Sequence, residues 1–322
     1  MANAPQASLS LPAAKSRRQT WRRRLLIAAV ALVLAVAAGT SGLAFFVGWS
    51  LTHPARKAIA ETPDRYGLAY TDVTFPSRGG AVTLKGWFLP ARGDKKGMTL
   101  VFAHGYRGNR TQPDVPALAV AQALAGKGYD LLLFDFRSNG ESEGSFTSVG
   151  QYETDDLLGA IDWVRRTGAP GQPVGVIGFS MGASTALMAA AAEPDVAGVV
   201  ADSPFSNLKR YLEANLSIWS NLPHFPFTPL ILAIMPPVLG VDPAAVDPLS
   251  AVDRIYPRPI LFIHNEADGT IPYTESEMMW QRHPDRFQFW KPAEGGHVGT
   301  YKTYPEEYIS RVEAFFDAAI AG

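Results

Sequence analysis

The chain of 322 residues contains no cysteine. That absence excludes disulfides, thiolate zinc sites, iron–sulfur clusters and a cysteine nucleophile together, so covalent chemistry must run through another side chain. An excess of charge of one sign is also missing. With 29 Lys and Arg against 30 Asp and Glu, there is no overall basic field to draw the protein onto nucleic acid, and no nucleic-acid partner is expected. Internal repeats and low-complexity tracts are absent. Apolar residues are plentiful: 47% of the chain is hydrophobic and 18% charged, which predicts a globular protein with a large buried core.

The charge is unevenly distributed. Residues 1–24 form a basic N-terminal arm with six cations, Lys15, Arg17, Arg18, Arg22, Arg23 and Arg24, and no acid. Residues 25–49, LLIAAVALVLAVAAGTSGLAFFVGW, then run without a charge. That length spans a hydrocarbon core of about 30 Å with some tilt, which predicts a single transmembrane helix and the membrane as a partner. The cations before it, and Trp21 and Trp49 near its two ends, predict a cytoplasmic N-terminus and an extracytoplasmic bulk from about Leu51 onward. The alternative is a cleaved signal peptide, because AVAAGTSG offers small residues to a peptidase. The apolar run continues past them through LAFFVGW and exceeds an h-region of roughly 7 to 15 residues, so an uncleaved anchor is expected.

Residues 50–65 are polar, contain two prolines and lack a sustained apolar face, so they are expected to form a linker or short surface helix. Residues 66–322 show one alternating pattern. Strand-like runs are YTDVTF, VTLKGWFL, MTLVFAHG, YDLLLFDF, PVGVIGF, VAGVVAD, RPILFIHN and RFQFWK, with helix-like stretches such as VPALAVAQALAGKG and YETDDLLGAIDWVRRTG interleaved after the third. LLLF, VGVI, GVVA and ILFI are apolar throughout, as expected of parallel strands covered on both faces. SRGG is too short for a crossover helix, so the first two strands should form an antiparallel hairpin at a sheet edge. The expectation is one α/β domain, mostly parallel, with chemistry beyond the carboxyl ends of the strands.

The pattern GxSxG occurs twice, as GESEG at Gly140–Gly144 and GFSMG at Gly178–Gly182. A nucleophile elbow needs a buried strand running into the serine and a helix leaving it, with small flanking residues in the tight turn. Ser180 has that context, between VGVIGF and MGASTALMAAAA. Ser142 lies between two glutamates among turn formers, where negative charge disfavours an alkoxide. Its stretch is faintly similar to a calcium loop, but Arg137 and Phe146 occupy places that need carboxylate or amide ligands.

A serine nucleophile needs a base, an acid to orient the base, and donors for the oxyanion. Of six histidines, His53 lies in the linker, His224 in a proline-rich stretch, His264 at a strand end and His283 before Pro284, leaving His104 and His297. His297, in the glycine-flanked loop EGGHVG after the last strand, is the favoured base. Asp268 in HNEADGTIP is the favoured acid. Glu266 on the same loop and Asp202 at the end of GVVAD are its rivals.

These residues resemble the α/β-hydrolase superfamily over nearly all of residues 66–322. The order Ser180, Asp268, His297 is similar to that family's nucleophile, acid, base order. FAHGYRG resembles its HG oxyanion loop, and DFRSNGESEG resembles its DxRxxGxSxG stretch, which would make Ser142 a loop feature. The resemblance implies an α/β-hydrolase fold with helices on both faces of the sheet. It also implies an oxyanion hole from the backbone N–H groups of Tyr106 and Met181 and a structural role for His104; no metal or cofactor is expected. Asn265 departs from the Gly common at its position, a departure that left-handed backbone tolerance of Asn would absorb. By the same resemblance, residues from about 206 to 252 would be a helical lid, with Trp219, Phe225 and Phe227 among the candidates for an acyl pocket. Packing against the domain would explain their apolar character equally well.

The expected function is a membrane-anchored serine hydrolase acting on a small-molecule or lipid-like ester, thioester or amide. The competing reading is a catalytically silent scaffold of the same fold that binds a lipid or protein partner.

Overall fold

The computed structural model describes residues 15–112, 114–167 and 171–321, so the basic arm lies partly outside the described residues. The chain opens with a helix of 38 residues, α1 (Lys15–Thr52). Its stretch Gln19–Thr52 is long and apolar enough to cross a membrane, as an anchor or as a signal sequence. Residues 19–39 of α1 are exposed on all sides, and Thr40 and Ser41 are half-buried. Over its last turns the helix gains a packed side, with Ala44 fully buried and Val47 and Leu51 in the same apolar cluster.

Every one of the eight apolar runs forms a strand: β1 (Thr71–Pro76), β2 (Thr83–Leu89), β3 (Thr99–Ala103), β4 (Asp130–Phe134), β5 (Val174–Phe179), β6 (Val196–Asp202), β7 (Ile260–Ile263) and β8 (Gln288–Trp290). They build one sheet in the order β1-β2-β4-β3-β5-β6-β7-β8. The β1–β2 and β2–β4 pairs are antiparallel and the rest parallel, so the N-terminal hairpin closes one edge.

The helices after α1 are α2 (Ala117–Gly126), α3 (Gln151–Thr167), α4 (Met181–Ala192), α5 (Leu208–Ser220), α6 (His224–Leu239), α7 (Pro248–Ile255), α8 (Thr274–Trp280), α9 (Thr300–Thr303) and α10 (Pro305–Ala321). One face of the sheet packs on α3, α4 and α7 through Leu157, Ile161, Ala186, Leu187, Val252 and Ile255. The other packs on α2 and α10 through Leu118, Ala121, Leu124, Val312, Phe315 and Phe316. Strands β3, β4, β5 and β7 are buried along their whole length. Two covered faces explain why their sequences do not alternate.

The chain passes from β3 outward to β4 and returns on the other side of β3 with β5. The crevice between β3 and β5 is thus a topological switch point, where loops diverge and ligands bind in open α/β sheets. Beyond this end lie α5 and α6, bent by 116° relative to one another. Helix α6 carries three internal prolines and a break at Phe225. Both helices pack against the end of α1 through Leu216, Ile231 and Met235.

Candidate active site

Ser180 sits between β5 and α4 with φ 54° and ψ −121°, a left-handed backbone that a serine adopts only under constraint. Two glycines permit the turn. A Cβ on Gly178 would lie 2.4 Å from the Gly182 carbonyl oxygen, and one on Gly182 would lie 2.1 Å from that of Ala103. The turn is pinned by the Ser180 N–H, which donates to the Asp202 carbonyl at 2.8 Å.

His297 approaches from the loop after β8. Its Nε2 lies 2.8 Å from Ser180 Oγ and its Nδ1 lies 2.8 Å from Asp268 Oδ2. Ionised Asp268 is an acceptor only, so Nδ1 carries the proton and Nε2 is left to accept from the serine hydroxyl. Asp268 Oδ1 accepts from the N–H groups of Thr270 at 2.8 Å and Ile271 at 3.0 Å, which fixes the carboxylate plane. Burial opposes its charge, but hydrogen bonds from His264 and His297 outweigh it and hold the carboxyl well below the usual range.

The two rival acids lie elsewhere. Glu266 pairs with Lys291 at 3.0 Å. Asp202 is fully buried at the end of β6, and its Oδ1 accepts from Ser203 Oγ at 2.9 Å. Among the described residues its Oδ2 has no hydrogen-bond partner. Burial pushes its carboxyl up to about 6.

Met181 opens α4, so its N–H is one of the donors that a helix start leaves without an intrahelical partner. Tyr106 follows β3, whose Ala103 pairs with Gly178 of β5. The loop runs so close that a Cβ on Gly105 would come within 3.4 Å of Ser180 Cβ. His104 holds this loop: its Nε2 accepts from the Phe136 N–H at 3.0 Å, so its Nδ1 donates to the Gly105 carbonyl at 2.8 Å. Complete burial lowers its pKa and keeps it neutral. The side chain of Tyr106 turns the other way, donating to the Leu51 carbonyl and meeting Trp219 edge-on at 5.6 Å.

Ser142 is buried within its own loop. Its Oγ donates to the Asp135 carbonyl at 2.6 Å and accepts from the Lys85 N–H at 2.9 Å, while the Asp135 side chain grips Arg110 through its N–H and guanidinium. We expect Ser142→Ala to retain turnover and lose about 1–3 kcal/mol of stability, because the Lys85 N–H is left unpaired. Denaturant unfolding alongside an ester assay checks both halves, and loss of turnover in a folded variant would contradict the structural role.

Three features differ from the sequence reading or escaped it. Phe225 does not line a pocket: it is 80% exposed, because the break in α6 turns it outward. Phe227 packs in the cluster at the end of α1, and of the three aromatic candidates only Trp219 lines the cavity at Ser180. Asn265 is not among the described residues with positive φ; its side chain is what matters, donating to the Gly296 carbonyl at 2.9 Å and Thr300 Oγ1 at 2.7 Å and so clamping the His297 loop. His264, read as a strand end, lies behind Asp268 at 3.2 Å and also contacts Ser276 and Ile271. Its place four residues before Asp268 was the available signal.

A sequence model described as alpha/beta hydrolase fold matches residues 99–231. The Pyrococcus furiosus esterase Pf2001 superposes with a TM-score of 0.69 at 27% identity, over 83% of this chain and 98% of its own. This chain has the α/β-hydrolase fold. Among curated proteins, the uncharacterized protein YqkD of Bacillus subtilis is 29% identical over 221 residues, 68% of this chain and 71% of its own. The lysophosphatidylserine lipase ABHD12 of Danio rerio is 25% identical over 189 residues, 54% of this chain and 44% of its own. The esterase-like α/β-hydrolase fold supports a hydrolase activity on a small-molecule substrate.

Proposed function

We propose that the protein is a membrane-anchored serine hydrolase that cleaves a carboxylic ester, thioester or amide through an acyl-enzyme on Ser180. The observation that carries this reading is the position of His297, within 2.8 Å of both Ser180 Oγ and Asp268 Oδ2. Ser180 Oγ attacks the substrate carbonyl carbon while His297 Nε2 takes its proton. The carbonyl π pair moves onto oxygen, where the Tyr106 and Met181 N–H groups stabilise the negative charge. Collapse expels the alcohol, thiol or amine, which receives the proton from His297. Water then repeats the sequence on the acyl-enzyme and releases the acid. Asp268 keeps the imidazole in the tautomer that accepts at Nε2 and stabilises the imidazolium formed in each half.

A fluorophosphonate probe tests the reading directly, because only an activated serine is labelled. Labelling of the full chain is expected; a folded protein that resists the probe would instead be a silent scaffold of the same fold.

We place the catalytic domain outside the membrane, held by residues 25–49. The support is the uncharged length of that segment and the six cations that precede it. Protease added to right-side-out spheroplasts is expected to digest the C-terminal domain, and the mature chain is expected to keep its basic N-terminus. Protection of the domain would reverse the orientation, and a soluble product beginning near Gly42 would mean that the segment is a cleaved signal.

A further inference from the structure

The cavity that ends at Ser180 is bounded on one side by the apolar helix itself. Gly48, Leu51 and Thr52 of α1 line it together with Ile231 and Met235 of α6, while Trp219 and Tyr106 stand near the serine. The end of α1 is fastened there by hydrogen bonds. The Leu51 carbonyl accepts from Tyr106 Oη, and the Thr52 carbonyl accepts from the Thr147 N–H at 2.8 Å. Arg56, just beyond the helix, donates to the carbonyls of Gly140, Ser142 and Gly144. Asn109 Nδ2 donates to the carbonyls of Lys57 and Ala58. The segment expected to be a linker or short surface helix is thus stitched to the loops that follow β3 and β4.

Gly48 is the point of closest approach. A Cβ on Gly39 or Gly42 of the same helix would meet nothing within 4 Å, so of these three glycines Gly48 alone is closely packed. A Cβ there would lie 2.4 Å from Met235 Cγ, 2.9 Å from Met235 Sδ and 3.2 Å from Ile231 Cγ2. Both neighbours are walls of the cavity, so the size of residue 48 sets where they stand. Around the rest of the same stretch the helix presents Phe45, Phe46 and Trp49, which are 40%, 69% and 43% exposed, with Phe46 most nearly opposite Gly48, and Phe225 and Val238 of α6 are exposed as well. The cavity wall and the apolar outer surface are two sides of one pair of helices.

We propose that the last turns of α1 form a wall of the acyl-binding site, with Gly48 and Leu51 setting the longest acyl chain admitted to Ser180, and that the substrates are esters of long acyl chains. This rests on the hydrolase reading above. The apolar lining from Gly48 to Leu239 offers a long chain hydrophobic contact, whereas short acyl groups would leave most of it empty.

The experiment measures kcat/KM of the full chain in detergent on p-nitrophenyl acetate, octanoate and palmitate. The wild type is expected to favour the longer esters. Gly48→Leu is expected to displace Met235 into the cavity and lower the palmitate-to-acetate ratio by about tenfold or more, the scale on which an apolar pocket discriminates lost contact. Leu51→Ala removes bulk from the same wall and is expected to raise the ratio, and it decides alone if Gly48→Leu fails to fold. Phe46→Leu, on the outward side of the helix, is the control and leaves the ratio at its wild-type value. Ratios that stay within about threefold in the folded variants overturn the assignment of α1 while leaving the hydrolase intact. No hydrolysis of any ester by the wild type overturns both.

Discussion

Ser180→Ala is expected to abolish fluorophosphonate labelling and to lower turnover by about 10⁶-fold, the scale seen when a triad nucleophile is removed. At 1.36 kcal/mol per decade that is roughly 8 kcal/mol of transition-state stabilisation, which places it far above any packing effect of losing one hydroxyl. The expectation follows from geometry: Ser180 Oγ lies 2.8 Å from His297 Nε2 at the head of a strained turn, whereas Ser142 Oγ is committed to Asp135 and Lys85. Folding is expected to survive, because the hydroxyl makes no capping bond to α4 and the Ser180 backbone bond to Asp202 is unchanged. A residual rate above the uncatalysed one would come from the oxyanion donors and substrate binding. Undiminished labelling of a folded Ser180→Ala protein would sink the assignment.

The eight strands were legible because each combines β-branched or aromatic residues with turn formers at its ends, and the fully buried ones lack alternation for a physical reason, two covered faces. Their order in the sheet was not legible. The exchange of β3 and β4 depends on which side of β3 each crossover returns to, and no local residue states that. The candidate site divides similarly. Ser180 stands out because its glycines are required by atoms that the strand and helix bring close. Choosing between Asp268, Glu266 and Asp202 needs the reach of a loop, which spacing alone does not give. The role of α1 was hidden for a different reason. Gly48 and Leu51 belong to the same uncharged run as the exposed residues before them, and composition does not separate a residue left exposed along α1 from one in contact with α6.

Replacing the acid is expected to have the second-largest effect. Asp268→Asn should lower kcat by about 10⁴-fold while leaving the fold intact, by the logic of orienting acids in other triads. The amide oxygen can still accept from Thr270 and Ile271, so the loop keeps its bonds, but the amide nitrogen then faces His297 Nδ1 at the present 2.8 Å. Two donors cannot share that contact. The imidazole must move its proton to Nε2, where it can no longer accept the proton of Ser180. His264, 3.2 Å from the same carboxylate oxygen, cannot substitute as acceptor while it contacts the Ile271 carbonyl. The low pKa of Asp268 also means that it stays ionised on the acid side of neutrality, so a fall in activity there would not report protonation of the acid. Asp202→Asn is the discriminating partner, because its carboxylate accepts from Ser203 and, among the described residues, makes no hydrogen bond to the imidazole. It is expected to keep most of the activity. Were Asp268→Asn active and Asp202→Asn silent, the orienting acid would lie at the end of β6, and the 2.8 Å contact between Asp268 and His297 would be structural only.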